Sequence, residues 1–364
     1  MAKKPSIIAS VSVSKERLAI NISRRVLKWF DHSGRKNLPW QKRINPYRVW
    51  VSEIMLQQIQ VATVIPYFKR FMSAFSTVQK LAKASEDEVL HLWTGLGYYS
   101  RARNLHKTAQ VVCSRYAGKF PDTVEQLCEL AGIGRSTAGA IVSIAFNQPA
   151  PILDGNVKRV LARYHVIGGW PGQSAVLSEL WEYAQAHSPK SRVADYSQAM
   201  MDLGATVCTR AKPACHLCPL SANCLSHKQG DPLLYPGKKP KKILPVKSAL
   251  MLIVQNRRGE VMLEKRPPTG IWGGLWSLPQ LNLDEGPATF CREILGEPAV
   301  NIKTWPSYRH TFSHFHLDIN PVIMSLERQP SMVMEEERQL WYNVHQPQAI
   351  GLAAPIKKLL NKLV

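Results

Sequence analysis

The sequence predicts two domains, a long helical module followed by a smaller α+β domain. Three observations predict this. First, 364 residues exceed what one domain usually holds. Second, from Lys15 to about Leu225 apolar residues recur at three- and four-residue spacing, punctuated by Gly or Pro, which is a helical pattern. Third, the character changes at Asp231. The run Tyr235–Lys247 holds three prolines and five lysines and reads as an extended basic linker. Beyond it, Ala249–Val254 and Val261–Glu264 read as strands joined by a turn at Asn256–Gly259. Later segments mix short strands with helices at Ala288–Leu295 and from Pro355. The boundaries expected are a disordered leader at 1–14, the helical module at 15–229, the linker at 230–247 and the second domain at 248–364.

A formal charge of +21 in a chain with ordinary apolar content and ten tryptophans points to a folded protein that meets a polyanion. Solubility alone is served by a charge of about 2–8 in a small domain. Nucleic acid is the favoured partner. No stretch approaches about 18 consecutive apolar residues, which argues against a membrane. The first fourteen residues carry only a brief Ile7-Ile8-Ala9 run, too weak for a signal peptide.

Cys208, Cys215, Cys218 and Cys224 fall within seventeen residues with gaps of six, two and five, whereas Cys113, Cys128 and Cys291 stand singly. Disulfides need an oxidising compartment, and no secretory leader is evident. A Cys₄ zinc site usually pairs two C-x₂-C knuckles, and here only Cys215 and Cys218 form one. The wider gaps suit a loop around a cubane iron–sulfur cluster, with zinc the competing reading.

Asp122–Glu129 and Arg135–Phe146 read as helices joined by Leu130 to Gly134 (122–146 overall). Gly132 and Gly134 let the backbone turn sharply, and the following helix offers unpaired N–H groups to one phosphate. An ordinary glycine-rich turn is the plainer alternative. Glu53 lies in the apolar run Val49–Ile59, so its carboxyl is expected to be desolvated, raised in pKa and fit for general-acid work. A buried ion pair with an arginine is the bland reading. Asp154, between Pro151-Ile152-Leu153 and a helix opening at Gly155 or Asn156, reads as a helix N-cap that can also face an electropositive sugar.

The hairpin, the Leu153–Arg159 stretch and the four-cysteine loop together resemble the helix–hairpin–helix DNA glycosylases with a [4Fe–4S] cluster, and within them the adenine-removing branch. Leu38 to Trp40, Trp50 to Gln58, Gly95 to Tyr99 and Phe312 to His316 carry the same resemblance over nearly the whole chain. It implies an all-α glycosylase module with an iron–sulfur loop at 208–224, and a C-terminal lesion-recognition domain of Nudix-like fold. The substrate implied is double-stranded DNA containing adenine opposite 8-oxoguanine or guanine, with the adenine flipped out before its glycosidic bond is hydrolysed. A monomer in the cytoplasm, associated with the nucleoid, is expected.

On this resemblance Glu53 protonates adenine at N7, and Asp154 stabilises the oxocarbenium-like state or its adduct, a pairing parallel to glycoside hydrolysis. Ser136 stands where relatives that also cut the backbone carry a Schiff-base lysine, so base removal alone is implied. Lys158 is expected at a phosphate. Gln57 and Tyr98 match residues wedged beside 8-oxoguanine, and Gln198 an adenine-pocket residue. Phe312, Ser313 and His314 match a loop that probes 8-oxoguanine, with Ser313 able to sense its N7–H; a histidine-rich strand with core aromatics is the plain reading. The Nudix metal-binding signature is broken, because Gly296 interrupts the closing glutamates of Arg292–Glu297. Metal-dependent hydrolysis is therefore not expected. Two other readings stand beside the leading one: a bifunctional pyrimidine-damage endonuclease, against which Ser136 and the second domain argue, and a non-catalytic iron–sulfur DNA-binding regulator, which leaves Glu53 unexplained.

Overall fold

A computed structural model describes residues 22–240, 243–328 and 338–364. The 1–14 leader and linker residues Lys241 and Lys242 lie outside the described residues. In chain order the helices are α1 (22–33), α2 (Pro46–Leu56), α3 (Val61–Ala74), α4 (Val78–Lys83), α5 (Glu86–Trp93), α6 (Ser100–Arg115), α7 (Val124–Cys128), α8 (Arg135–Ala145), α9 (Gly155–His165), α10 (Ser174–His187), α11 (Val193–Asp202) and α12 (Leu225–Lys228). Strands β1 (Val246–Gln255), β2 (Val261–Lys265), β3 (Trp276–Ser277) and β4 (Gln280–Leu281) follow, then α13 (Pro287–Ile294). The chain ends with β5 (Ala299–Thr304), β6 (Tyr308–Thr311), β7 (His316–Leu326), β8 (Gln339–Tyr342) and α14 (Ala354–Leu360). No helix among the described residues is long and apolar enough to cross a membrane.

The described residues form two compact units, one of residues 22–82 and 107–240, the other of 83–106, 243–328 and 338–364. In the first, α1, α9, α10 and α11 close over a core that includes Val26, Phe30, Val160, Leu161, Leu180 and Met200. Helix starts obey local chemistry. Asn45 caps α2 ahead of Pro46, and Asp154 caps α9 by accepting from Val157 N–H at 2.8 Å. Between α8 and the Pro151 segment the backbones nearly touch: a Cβ on Gly139 would sit 2.3 Å from the Pro151 carbonyl oxygen.

In the second unit a mixed sheet runs β3-β2-β1-β7-β5, with β4 beside β1, β6 beside β7 and β8 beside β2. β1 and β7 pair in parallel from Val246↔His316 to Gln255↔Ser325, and the other pairings are antiparallel. α13 covers one face through Cys291, over Leu252, Met262, Val322 and Met324.

Two features depart from the sequence boundaries. Residues 83–106, expected inside the helical module, group with the sheet, because Asp87 accepts from both Lys265 and Trp276 and Tyr99 donates to the Leu352 carbonyl. The first half of the linker is fastened to the helical unit. Arg163 donates to the Tyr235 carbonyl at 3.0 Å, and the Lys239 ammonium lies 5.4 Å from the Trp170 ring centre.

Candidate active site

The cap at Asn45 sets the phase of α2, which buries Val49, Trp50, Val51, Ile54 and Met55. Glu53 is thereby held among apolar neighbours. Burial pushes its carboxyl up to about 8, and the charge of Asp154 adds to the rise. The two carboxyls thus share one site. Asp154 is also raised by burial, but its surroundings oppose that rise. It accepts from Val157 N–H at 2.8 Å and from the Asn156 amide at 3.3 Å, and Arg159 adds a favourable positive charge. Such donors favour the ionised form and partly offset the burial that raises Asp154, whereas nothing comparable offsets the rise of Glu53. Two neighbouring carboxyls in unlike surroundings, one with donors and one without, suit an acid paired with an ionised partner.

From Asp154 the polar contacts continue along α9. Asn156 binds Asp154 with its amide nitrogen and accepts from Arg159 at 2.8 Å with its oxygen. Arg159 also donates to the carbonyls of Cys208 at 2.7 Å and Gly204 at 2.5 Å. One turn on, Arg163 is only 2% exposed and donates to Cys208 Sγ and to the carbonyls of Thr209 and Arg210. All four clustered cysteines line one small cavity, partly open to solvent, together with Val160, Arg163, Tyr164 and Leu220. Among the described residues no three His, Cys, Asp or Glu side chains converge as a single-ion site. Burial and the neighbouring cysteines push the Cys218 thiol up to about 12, so four thiolates together need the charge of a cation.

The hairpin forms as expected between α7 and α8. Gly132 adopts φ +80, a conformation costly for other residues, and both Gly132 and Gly134 are exposed. Space beside Gly134 is open, so its backbone is accessible to an anion at the start of α8. Ser136 behaves differently from a DNA contact. Its hydroxyl accepts from Leu153 N–H at 3.0 Å, tying α8 to the residue just before Asp154. Lys158 sits one turn past Asp154 on α9. Gln57 ends α2 one turn after Glu53. Gln198 donates to Asp202 at 2.8 Å. Arg35 holds the same carboxylate with its backbone N–H and guanidinium, at 2.6 to 2.9 Å.

Tyr98, Phe312, Ser313 and His314 belong to the second unit. Tyr98 is 52% exposed at φ +48, in a turn where Trp93 donates to the Gly97 carbonyl. Phe312–Phe315 form the loop between β6 and β7 rather than a strand, with Ser313 and His314 exposed and Phe315 buried. Sequence reasoning missed Arg35 with Asp202, and Asn156 with Arg159. The second pair stood inside the quoted Leu153–Arg159 stretch, and the i,i+3 spacing on a helix was its signal. Arg35 and Asp202 lie 167 residues apart, and no local pattern joins them.

Residues 51–186 match the HhH-GPD family, described as superfamily base excision DNA repair proteins, and residues 250–362 match the NUDIX domain. Fold and sequence together define a base-excision DNA repair protein of that superfamily with a NUDIX domain behind it. The adenine DNA glycosylase of Buchnera aphidicola subsp. Acyrthosiphon pisum is 41% identical over 342 residues, 93% of this chain and 96% of that protein. The human adenine DNA glycosylase is 32% identical over 429 residues, 99% of this chain and 78% of that one. The chain belongs to the adenine DNA glycosylase family. Among solved structures, a thermostable thymine-DNA glycosylase matches 60% of this chain and 99% of its own, at TM-score 0.53 and 25% identity. Endonuclease III in a non-covalent DNA complex matches 59% and 97%, at TM-score 0.51 and 25% identity.

Proposed function

We propose that this protein excises adenine paired with 8-oxoguanine, or with guanine, from duplex DNA and leaves an abasic site. The observation that carries the reading is the pair Glu53 and Asp154: two carboxyls in one site, Glu53 raised to about 8 by burial and by the charge of Asp154, and Asp154 held by donors that favour its ionised form. Glu53 gives its proton to N7 of the flipped adenine, which makes the base a better leaving group. Asp154, fixed at the N-cap of α9, faces the cationic sugar that develops as the glycosidic bond breaks. With its amide nitrogen on Asp202, Gln198 leaves an oxygen acceptor for the exocyclic amine of adenine. Ser136 cannot form an imine, so base removal proceeds without strand cleavage.

Four thiols converging on one cavity and the need for compensating positive charge fit a [4Fe–4S] cluster held by Cys208, Cys215, Cys218 and Cys224. The group would order the 208–224 loop, and the glycosidic hydrolysis itself transfers no electrons. Gly132, Gly134 and Lys158 hold phosphates, Gln57 and Tyr98 fill the gap left by the flipped base, and Phe312, Ser313 and His314 probe the opposite base.

Base release from an adenine:8-oxoguanine duplex tests the reading. Glu53→Gln is expected to lower single-turnover release by about 10²–10⁴-fold. Undiminished release by that variant would overturn the assignment, and strand scission without alkali would favour a bifunctional enzyme.

A further inference from the structure

The second unit contains a connection that the proposed reaction does not use. Asp87 lies in the first turn of α5, behind a capping box formed by Ser85 and Glu88. One of its carboxylate oxygens accepts from Lys265 Nζ at 2.9 Å, the other from Trp276 Nε1 at 3.1 Å. Lys265 and Trp276 face each other across β2 and β3, with the ammonium 5.6 Å from the indole centre. They are the two ends of the 266–275 loop, so Asp87 grips that loop at both ends. Its middle is gripped from α6, where Arg103 donates to the Gly273 carbonyl.

The loop is rigid in its own right. Arg266 N–H donates to the Leu275 carbonyl at 2.9 Å, and Leu275 N–H to the Trp272 carbonyl at 2.9 Å. Trp272, only 8% exposed, lies 5.5 Å from the Phe312 ring centre and 5.9 Å from that of His310. Phe312 is stacked at 4.6 Å on Phe315 from another side. The Tyr98 turn is bound to the same helices. Trp93, at the end of α5, holds the Gly97 carbonyl, and the Arg101 guanidinium of α6 lies 5.3 Å from the Tyr98 ring centre. A continuous set of contacts thus runs from the Tyr98 turn through α5 and α6 to the 266–275 loop and on to Phe312.

We propose that Asp87, with Lys265 and Trp276, is a positioning clasp that holds the Tyr98 wedge and the Phe312–His314 loop as one recognition body for the base opposite adenine. The proposal rests on the roles given above to Tyr98 and to that loop. Two separate probes, each free to shift, would tolerate guanine in place of 8-oxoguanine more readily than one fixed pair. The clasp therefore acts on discrimination, whereas Glu53 and Asp154 act on bond breaking.

The experiment measures single-turnover adenine release by the full chain, opposite 8-oxoguanine and opposite guanine, and takes the ratio of the two rates. Asp87→Ala is expected to lower that ratio about threefold to tenfold, with most of the loss on the 8-oxoguanine duplex. Asp87→Asn keeps an acceptor for Trp276 and is expected to lower it less, while Lys265→Met reproduces the Asn result from the other partner. Combined with Ser313→Ala, Asp87→Ala adds less than its own separate effect, since both act on one recognition step. Proportional loss on both duplexes in Asp87→Asn, or full additivity with Ser313→Ala, would overturn the clasp. If Ser313→Ala alone leaves the ratio unchanged, the loop's reading falls and the clasp falls with it. A lowered ratio with Ser313→Ala but an unchanged one with Asp87→Ala and Lys265→Met removes the clasp alone.

Discussion

The two units place their functional side chains in opposite surroundings. In the helical unit Glu53 and Asp154 are half-buried at the ends of packed helices, where burial raises their pKa values. In the other unit Tyr98, Ser313 and His314 stand exposed at turns, with their support buried beneath them. The difference teaches a division of work. Acid–base chemistry needs a low-dielectric site that alters protonation, while reading a base needs surfaces that solvent vacates only when DNA arrives.

The sharpest way to break this comparison is substitution at Asp154. Asp154→Asn keeps a cap for α9 but removes the charge, so kcat is expected to fall about 10²–10⁴-fold while the melting temperature barely moves. A large loss of stability with little loss of rate would return Asp154 to a purely structural role. The acidity of Glu53 gives a smaller, graded effect. Its pKa is raised from the ordinary carboxylate range to about 8, so the folded state holds a proton that the unfolded state releases. That contribution is complete below about pH 4.5 and is lost as pH rises through 8. Single-turnover rates should decline above pH 8, and the melting temperature of Glu53→Gln should gain on the wild type between pH 6 and pH 9.

The smallest expected effect concerns an unused pair. His165 and His187 sit with their Nε2 atoms 2.8 Å apart, against Tyr183, and burial pulls them down to about 3 and about 4. The folded state refuses protons that the unfolded chain accepts near pH 6.5, so stability falls as pH drops from 6.5 toward 4. Calorimetry at pH 7 and pH 5 should show a steeper drop for the wild type than for His187→Leu. Equal drops would remove the pair from the acid response.

Much of the helical unit was legible because its signals are local. The apolar run around Glu53, the cap at Asp154 and the paired glycines of the hairpin each reside within about a dozen residues, and each formed where the pattern placed it. The placement of 83–106 was not legible. It depends on Asp87 meeting Lys265 and Trp276 across 178 and 189 residues, and nothing near Asp87 announces those partners. Ser136 shows a third case. Its residue type carried the chemical argument against an imine, but its hydroxyl serves Leu153, a partner 17 residues away that only the packing of α8 on the Pro151 segment selects. The Phe312–His314 loop was placed by motif, while its support by Trp272 came from a loop 40 positions earlier.

Helix α9 carries Asp154 at its start, Arg159 at its middle, and Arg163 and His165 in its last turn. Between them these reach three partners: Asp154 the Glu53 site, Arg159 and Arg163 the cysteine loop, and His165 the His187 stack. A helix turns about 100° per residue, so one inserted or deleted residue inside α9 would swing every later side chain off its partner at once. A substitution in this helix disturbs one partner, whereas a change of length disturbs them all. The number of residues between Asp154 and His165 is therefore as much a part of the protein's specification as their identities.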